Sequence, residues 1–302
     1  MIHKSVLLHE SIDSLNIKAG DIYLDGTLGS AGHARYALEK VNGNLTVIGL
    51  DRDTEALARS KKRLIDYKNI NLHEGSYGDI AKILDQQGIE KVHSIMLDLG
   101  LSSDQFETSG RGFTFKNDEP LLMTFKKDPK EGDLTAHEIV NTWQEENIAD
   151  IIYGYGGERY SRRIAKSIVN YREKKSIETT AELVEIVNGA VPSFYKKGKI
   201  HPATRTFQAL RITVNDELNT LKKGLKEGFE RLHDGGRMAV ISFHSLEDRI
   251  VKNFNKEKAE MGEAKIITKR PIIASNEELK ENPRSRSAKL RILEKNDTSI
   301  KK

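Results

Sequence analysis

The sequence predicts an α/β fold, in which a parallel sheet is interrupted by an inserted helical domain. Over the first hundred residues, short apolar runs alternate with helical patterns, as they do in the strand–helix units of a parallel sheet. The pattern then stays helical from residue 135 to residue 191, and another buried strand follows near residue 240. We therefore expect a discontinuous sheet domain, residues 1–105 and 205–302, around a helical domain, residues 106–204.

Each predicted strand is a short buried apolar run, and each helix has an amphipathic pattern. The strands are predicted at residues 22–25, 46–51, 71–73, 95–98 and 237–242, with helices between them at 33–40, 53–67 and 79–87. One long helix is expected from residue 202 to about 232, and residues 265–273 and 288–293 are expected to form an antiparallel hairpin. Residues 105–130 read as a long irregular segment, which in a compact domain is usually functional.

Composition limits the class of protein. Apolar residues make up 37% and charged residues 31%, so the chain can bury a core and stay soluble. No apolar run approaches the roughly 20 residues of a membrane-spanning helix, and the first residues lack a signal-peptide pattern, so we expect a cytoplasmic protein. The absence of cysteine excludes a disulfide framework, a thiolate zinc site and a cysteine nucleophile, and no metal is expected.

Positive charge is concentrated in two segments, although the net charge of the chain is only +4. Residues 155–200 hold ten Lys and Arg against five Asp and Glu, a local charge of +5. Residues 265–302 hold eleven against five, a local charge of +6. A site for a polyanion and an ordinary solvated face both explain such segments.

The first chemical motif is a glycine-rich turn, Asp25-Gly26-Thr27-Leu28-Gly29-Ser30-Ala31-Gly32-His33, between the first strand and the next helix. Glycines let a ligand approach the backbone, and a helix N-terminus offers N–H groups, although an ordinary tight turn is the alternative. Asp51 ends the second strand, where a carboxylate can accept both hydroxyls of a ribose. Turn and carboxylate together predict an adenosine-containing cofactor.

Two further residues follow strand ends that face the same crevice. Asp98 ends the fourth strand, and Tyr77 follows the third. The Tyr77 ring is expected either to pack beside an adenine or to be an ordinary half-buried side chain. NAD and S-adenosylmethionine both fit this geometry. The acidic residue that opens the glycine turn, Asp25, favours a cofactor with an ammonium group and no pyrophosphate.

With these residues in view, the chain resembles the ribosomal RNA small subunit methyltransferase H (MraW) family over nearly its whole length. The matching segments are Ser5-Val6-Leu7-Leu8-His9-Glu10, Asp25-Gly26-Thr27 with Gly32-His33, Leu97-Asp98-Leu99-Gly100 with Ser102-Ser103, Arg111-Gly112-Phe113, His201-Pro202-Ala203-Thr204-Arg205-Thr206-Phe207-Gln208-Ala209, Ile241-Ser242-Phe243-His244-Ser245-Leu246-Glu247-Asp248-Arg249 and Asn282-Pro283-Arg284-Ser285-Arg286-Ser287. The last three segments are long and specific to the family.

The resemblance implies a class I S-adenosylmethionine-dependent methyltransferase with a Rossmann-like sheet and an inserted helical substrate-recognition domain. It implies methylation of N4 of a cytidine in the decoding region of 16S rRNA, with the small ribosomal subunit as partner. The cofactor contacts that it implies are Ala31, Gly32, His33, Asp51, Tyr77, Asp98 and Gln105. A monomer and a homodimer both remain open.

The chain departs from the family pattern at several positions. Ala31 stands where the family usually has glycine, and Asp104 where it usually has proline. In the run Pro120-Leu121-Leu122-Met123-Thr124-Phe125, Leu122 and Thr124 replace an acid and a base of the family. If that pair orders the loop or touches substrate in the family, this chain achieves the same result by other means.

Three groups of residues are candidates for contact with RNA. His201, Arg205 and Gln208 have helical spacing and share one face, for which a solvated helix face is the alternative. Ser242 and His244 follow the fifth strand. Arg284 and Arg286 lie in a basic run without acidic residues, which suits a phosphate backbone, although a plain basic loop is the alternative.

Asp98 and His244 are the candidate catalytic residues. An acceptor for an N–H of the cytosine amine favours the pyramidal nitrogen, and either Asp98 or a backbone carbonyl can supply it. We expect His244 to orient the cytosine or its flanking phosphate rather than to act as a general base. Two rival functions are an RNA-binding assembly factor without turnover and a small-molecule methyltransferase. The basic segments and the helical insert argue against the latter.

Overall fold

The computed structural model describes residues 4–100, 109–126 and 129–297, and the chain divides into two compact units. The first comprises Met1–Gly100 and Leu218–Lys302 and is called the sheet unit below. The second comprises Leu101–Glu217 and is called the helical unit. The sequence therefore folds as a discontinuous unit around an insertion.

One mixed sheet of seven strands forms the centre of the sheet unit. The strands are β1 Ile22–Asp25, β2 Thr46–Asp51, β3 Ile70–Glu74, β4 Val92–Asp98, β5 Leu232–Ser242, β6 Ala264–Ile266 and β7 Lys289–Lys295. Their order is β3-β2-β1-β4-β5-β7-β6. The first five are parallel, and β7 is antiparallel to both β5 and β6. The predicted Rossmann-like sheet and the closing hairpin are confirmed.

Helices connect these strands and form the inserted unit. In chain order they are α1 Leu8–Ser14, α2 Gly32–Lys40, α3 Thr54–Arg63, α4 Ile80–Gln86, α5 Ala136–Thr142, α6 Glu145–Gly154, α7 Ser161–Arg172, α8 Thr180–Ala190, α9 Ser193–Lys196, α10 Ala203–Asn215, α11 Glu217–Glu230, α12 Ser245–Glu260 and α13 Asn276–Glu281. Two 3-10 helices, Tyr77–Asp79 and Pro283–Ser287, complete the described elements. Within the described ranges, no helix has the length and apolarity needed to cross a bilayer.

The sheet has a hydrophobic core on each face, because successive strand residues point to opposite sides. In β1, Tyr23 belongs to the core that includes residues of α1 and α2, and Leu24 to the core that includes residues of α4 and α11. Val47 and Ile48 of β2 divide in the same way. Burial on both faces explains why these strands are continuous apolar runs in the sequence.

The long helix predicted from residue 202 to 232 is two helices, and this prediction is wrong. Asp216 interrupts it with a left-handed backbone, φ 47° and ψ 44°. Leu210 of α10 is buried in the core of the helical unit, whereas Leu225 of α11 is buried in the core of the sheet unit. The two units consequently divide at residues 217/218 and not at the expected 204/205.

The described part of the irregular segment, residues 109–126, is held by polar contacts inside the helical unit. Arg111 is buried, and its Nη1 donates to the carbonyls of Thr124 and Phe125 at 3.3 and 2.7 Å. Asn215 donates from Nδ2 to the carbonyl of Met123 at 2.7 Å and accepts the Phe125 N–H at 2.8 Å. Backbone groups around Thr124 are therefore fixed without the acid and base that the chain lacks at positions 122 and 124.

Candidate functional site

Three carboxylates end three neighbouring strands of the sheet unit, as the sequence predicted. Asp25, Asp51 and Asp98 are the last residues of β1, β2 and β4, and these strands are adjacent in the order β2-β1-β4. All three strands are parallel, so their carboxyl ends lie at one edge of the sheet. At this edge, open α/β sheets bind their ligands.

The glycine turn after β1 is fixed by hydrogen bonds to both flanking strands. Gly26 N–H donates to the carbonyl of Met96 in β4, and Leu28 N–H donates to the carbonyl of Leu50 in β2, both at 2.9 Å. Ala31, directly before α2, has φ 58° and ψ 29°. Left-handed backbone is rare for a residue with a side chain, so the position explains a preference for glycine.

Asp51 both builds the turn and offers acceptors to a ligand. Its Oδ2 accepts the N–H of Gly29 and its Oδ1 that of Asp53, both at 2.8 Å. Burial raises the pKa of this carboxyl above its usual value, although the two backbone N–H groups oppose the rise. Each carboxylate oxygen has a second lone pair, so Asp51 can still accept hydroxyl hydrogens.

Asp25 is almost completely buried, with 1% of its surface exposed. The Tyr23 hydroxyl donates to its Oδ2, and the Thr27 N–H donates to its Oδ1, both at 3.2 Å. Burial raises the pKa of Asp25 to about 7, and the charge of Asp51 adds to the effect.

Asp98 is fixed by a hydrogen bond of its backbone, and one of its carboxylate oxygens has no hydrogen-bond partner in the described part of the chain. Its N–H donates to Oγ1 of Thr27 at 2.6 Å. Its Oδ1 is buried and has no hydrogen-bond partner in the described part of the chain. Burial raises the pKa of Asp98 to about 7, and the negative charges of Asp25 and Glu247 contribute to the rise.

This set of carboxylates fits a positively charged ligand. The neighbouring charges that act on the pKa of Asp25 and Asp98 are negative, whereas the positive charge of Arg59 lowers the pKa of Asp51. Buried carboxylates without a cation are costly, and a ligand that carries positive charge relieves that cost. The pyrophosphate of NAD carries the opposite charge, so the alternative of NAD fits this edge poorly.

The start of α2 is covered by the segment that precedes α1. A Cβ added at Gly32 would lie 1.9 Å from Oγ of Ser5, so only glycine fits here without movement. Nε2 of His33 lies 3.1 Å from the carbonyl oxygen of Val6. The His33 ring therefore contacts this covering segment, which the sequence alone did not indicate.

Tyr77 lies at the end of β3, in the 3-10 helix Tyr77–Asp79, and is half-buried. Its ring approaches Gly224 of α11, because a Cβ at Gly224 would lie 2.6 Å from Cδ2 of Tyr77. The residues around Gly224 have an ordinary helical pattern, so the sequence does not indicate its contact with Tyr77. The last expected cofactor contact, Gln105, lies outside the described residues.

After β5, the structure adds a buried carboxylate to the predicted pair Ser242 and His244. Ser242 ends β5, and His244 directly precedes α12. Glu247, with 3% of its surface exposed, accepts the N–H groups of Phe243 and His244 at 2.8 and 3.3 Å. The spacing His244-x-x-Glu247 is that of a capping box, which is the signal that could have identified this glutamate.

The His244 ring is 10% exposed, and its Nε2 lies 3.2 Å from Oε1 of Glu247. Neither ring nitrogen has a hydrogen-bond partner among the residues that the structure describes. Both ring nitrogens of His244 are buried, and Nε2 lies beside the buried Glu247 carboxylate.

The predicted polar helix face of His201, Arg205 and Gln208 is wrong in two respects. His201 precedes α10 and accepts the Ala203 N–H on its Nδ1 at 3.2 Å, so it is not on the helix. Gln208 donates to the carbonyl of Tyr155 at 3.0 Å inside the helical unit. The three groups therefore do not share one helix face, although His201 is exposed and Arg205 is partly exposed.

Arg205, whose side chain is 38% exposed, belongs to a polar cluster around the buried Glu158. Its Nη1 donates to the Tyr195 hydroxyl at 2.9 Å and lies 3.8 Å from Oε2 of Glu158, which is completely buried. The Tyr195 hydroxyl donates to the same oxygen at 2.6 Å. Arg205 therefore compensates a buried charge in the helical unit.

The basic run with Arg284 and Arg286 forms the 3-10 helix Pro283–Ser287, in which Arg286 is exposed and Arg284 is partly buried. This region is attached to the N-terminal segment, because Asn282 Nδ2 donates to the carbonyl of Lys4 at 3.1 Å. In addition, Leu7 N–H donates to Oε1 of Glu278 at 2.8 Å. The basic helix and the start of α2 thus share one covering segment, residues 4–7.

Comparison with known proteins gives matches over both units. The model of the MraW methylase family matches residues 1–296. Ribosomal RNA small subunit methyltransferase H from Clostridium botulinum (strain Kyoto / Type A2) is 45% identical over 309 aligned positions, which cover 97% of this chain and 98% of that protein. The protein of the same name from strain 657 / Type Ba4 is 44% identical with the same coverage.

Among solved structures, an rRNA methylase from Streptococcus thermophilus is 12% identical to this chain. The alignment covers 98% of this chain and 99% of that one, with a TM-score of 0.45.

Proposed function

The chain belongs to the MraW methylase family, and from this premise we propose that it methylates N4 of a cytidine in the decoding region of 16S rRNA, with S-adenosylmethionine as methyl donor. The names of the curated relatives support the small-subunit rRNA as substrate. The observation that carries the chemistry is the edge of buried carboxylates, at which Asp98 Oδ1 is an acceptor without a partner. The proposal includes the residue roles below.

S-adenosylmethionine supplies a methyl group on a positively charged sulfur, together with an ammonium group and a ribose. Asp51 has lone pairs to accept the ribose hydroxyls, and its position is fixed by Gly29 and Asp53. Asp25 and Asp98 supply negative charge at the same edge. The backbone of Ala31, Gly32 and His33 at the start of α2 and the ring of Tyr77 complete the proposed contacts, with Gln105 outside the described residues.

Methyl transfer to nitrogen depends mainly on positioning. The lone pair on N4 of cytosine is delocalised into the ring, so an acceptor for an N–H of the amine favours the reactive, pyramidal nitrogen. Asp98 Oδ1 is such an acceptor. Because the pKa of Asp98 is about 7, this carboxylate can also hold the proton that the nitrogen loses.

His244 is proposed to orient the cytosine or a neighbouring phosphate, because its ring nitrogens have no hydrogen-bond partner among the described residues. His244→Ala is expected to lower turnover on RNA with little change in S-adenosylmethionine affinity. His244→Asn should keep part of the activity, since an amide replaces one hydrogen bond of the imidazole. If both variants are equally inactive in single-turnover assays, and the wild-type rate follows one histidine titration, acid–base catalysis replaces orientation.

RNA contact is also proposed for Arg286 and Arg284 in the sheet unit, for Ser242, and for His201 and Arg205 in the helical unit. Arg286→Ala is the preferred variant because this side chain is exposed, so that its removal disturbs the packing of the fold least. Loss of one phosphate contact should reduce the salt dependence of RNA binding by about 0.7 in the log–log slope. An unaltered slope would remove Arg286 from the interface.

The decisive experiment is methylation of small ribosomal subunits from cells that lack this protein. With labelled S-adenosylmethionine, we expect one cytidine of 16S rRNA to gain one methyl group on N4. Binding of both ligands without incorporation would indicate the assembly factor, and label on a small molecule alone would indicate the other rival. Label on a different base or atom would overturn the proposed specificity.

A further inference from the structure

The helical unit carries a surface on which exposed aromatic and cationic side chains lie together. It is formed by the residues before α7, around Arg159 and Tyr160, and by the region of α9, around Phe194, Tyr195 and Lys196. We call it the aromatic–basic face. None of these residues is among the cofactor contacts that the family resemblance implies.

Two distant segments meet at this face. The Tyr160 and Tyr195 rings contact edge to face, with centroids 5.0 Å apart. The Arg159 guanidinium lies over both rings, 4.9 Å from the centroid of Tyr160 and 5.1 Å from that of Tyr195. A further cation, Arg163, lies 5.7 Å from the Tyr160 centroid. The arginines are thus positioned by ring faces.

The tyrosines are fixed from below by the buried Glu158. Its Oε1 accepts the Tyr160 N–H at 2.8 Å, and its Oε2 accepts the Tyr195 hydroxyl at 2.6 Å. Arg205 completes this cluster through the Tyr195 hydroxyl. The buried glutamate therefore connects the two segments, and the face is a preformed surface.

The exposed part of the face is apolar and positive. Phe194 is 66% exposed and Ile200 is 54% exposed, which is unusual for large apolar side chains on the same short stretch. Lys196, Lys197 and Lys199 are exposed between them. Within the described chain these three lysines form no ion pair.

The sequence shows that the charge is one-sided. Residues 159–172 contain five Lys and Arg and no Asp or Glu, and residues 193–200 contain three Lys and no Asp or Glu. A solvated helix face normally mixes both signs, whereas this face presents one sign together with aromatic rings. Charge complementarity therefore favours a polyanion with flat apolar groups.

We propose that the aromatic–basic face binds a single-stranded segment of the RNA substrate, by stacking bases on Phe194 and on the Arg159 guanidinium while the lysines contact phosphates. The inference rests on the proposed function and specifies how its RNA substrate is held. Stacking on aromatic rings and guanidinium planes is how proteins bind unpaired RNA, whereas duplex bases are hidden in the helix. This face therefore selects a single strand.

The test measures binding of wild-type protein to a labelled pyrimidine-rich RNA 12-mer and to its duplex. Phe194→Ala should weaken single-strand binding roughly 5- to 150-fold with little change in salt dependence, because a stacking contact is lost. Phe194→Tyr should retain binding, and Phe194→Leu should behave like Phe194→Ala. Equal affinities of all four proteins, or duplex binding as tight as single-strand binding, would overturn the stacking role.

The lysines are tested with a matched pair of double variants. Lys196→Ala with Lys197→Ala should weaken binding and reduce the log–log salt slope by about 1.4, since two phosphate contacts are lost. Lys130→Ala with Lys174→Ala removes the same charge from exposed positions of the helical unit, and Lys174 lies at the far end of α7, roughly 20 Å away along the helix. An equal effect of both pairs would show that only the overall charge of the protein affects RNA binding, which would overturn the proposal.

Methylation of small ribosomal subunits separates this inference from the proposed function. If wild-type protein methylates the subunits and the face variants do so with unchanged KM, the face is not the RNA surface and the function stands. If wild-type protein does not methylate RNA, the proposed function fails whatever the variants do. If the proposed function and this inference are both correct, the face variants raise KM for the subunits and leave S-adenosylmethionine affinity unchanged.

Discussion

Asp98 ends β4 beside Asp25, which ends β1, and the charge of Asp25 adds to burial in raising the pKa of Asp98 to about 7. The two carboxyls therefore keep protons at a pH where ordinary aspartates are ionised. A cationic cofactor that binds beside them favours their ionised forms. Protonation of this pair and cofactor binding are thus coupled, which leads to measurable effects of pH.

The first prediction concerns the stability of the ligand-free protein. In the folded state Asp25 and Asp98 bind protons up to about pH 7, because their pKa is about 7, whereas an ordinary aspartate has a pKa of about 3.9. The folded state thus binds more protons between about pH 4 and 7, and the free energy of unfolding falls as pH rises through that range. Asp98→Asn should stabilise the protein at pH 8 by on the order of 2–4 kcal/mol.

Denaturant unfolding at several pH values tests this prediction, with Asp66→Asn as an exposed control. The advantage of Asp98→Asn should shrink towards pH 4, and a constant difference would show that the carboxyl is ionised throughout. In wild-type protein, binding of S-adenosylmethionine near pH 7 should release protons, visible as a dependence of the calorimetric heat on the buffer.

The second prediction concerns Asp51. Asp51→Ala should weaken S-adenosylmethionine binding by about 1–3 kcal/mol, because acceptors of ribose hydroxyls and the support of the glycine turn are lost together. Asp51→Asn retains one acceptor oxygen and should lose less. Titration calorimetry measures both, with Asp66→Ala as control. Wild-type affinity in Asp51→Ala would place the ribose elsewhere.

The third prediction concerns Gly32 and Ser5. A methyl group at position 32 would overlap Oγ of Ser5, so Gly32→Ala should displace the covering segment and destabilise the protein by about 1–3 kcal/mol. Adding Ser5→Gly removes the colliding atom and should restore most of the loss. Denaturant midpoints of the single and double variants form a double-mutant cycle. Additive effects would mean that the two positions are not in contact.

The fourth prediction separates a structural role of Arg205 from a role in RNA binding. Arg205→Ala leaves the buried Glu158 with less compensation and should lower the free energy of unfolding by about 1–3 kcal/mol. Glu158→Gln combined with Arg205→Ala should be more stable than Arg205→Ala alone, because no buried charge remains. If Arg205→Ala has the same free energy of unfolding as wild type but binds RNA weakly, the role of Arg205 is contact with the RNA substrate.

Much of the sheet unit could be predicted, because burial on both faces makes each strand a continuous apolar run. The predicted bounds of β1 and β2 agree with those observed. The break at Asp216 could not be predicted from periodicity, since the apolar pattern of α10 continues into α11 while the two helices pack in different cores. Local patterns carry no information on which core receives a side chain.

The candidate site, like the sheet unit, could be predicted only in part from the sequence. The strand-end positions of Asp25, Asp51 and Asp98 follow from where apolar runs stop. The covering of Gly32 by Ser5 and the packing of Tyr77 on Gly224 depend on contacts between residues far apart in the chain. The contacts of Arg205 with the buried Glu158 and the Tyr195 hydroxyl could not be predicted, because spacing shows neither partner.

The sequence by itself determined the alternation of strands and helices, the acidic strand ends and the two basic segments, because all of these depend on residues that are close in the chain. Only the tertiary structure decided the protonation of Asp25 and Asp98, since burial and neighbouring charge determine a pKa. It also decided that Tyr160 and Tyr195 form one surface with Arg159. Packing brings these separate segments together, and a local pattern does not specify that packing.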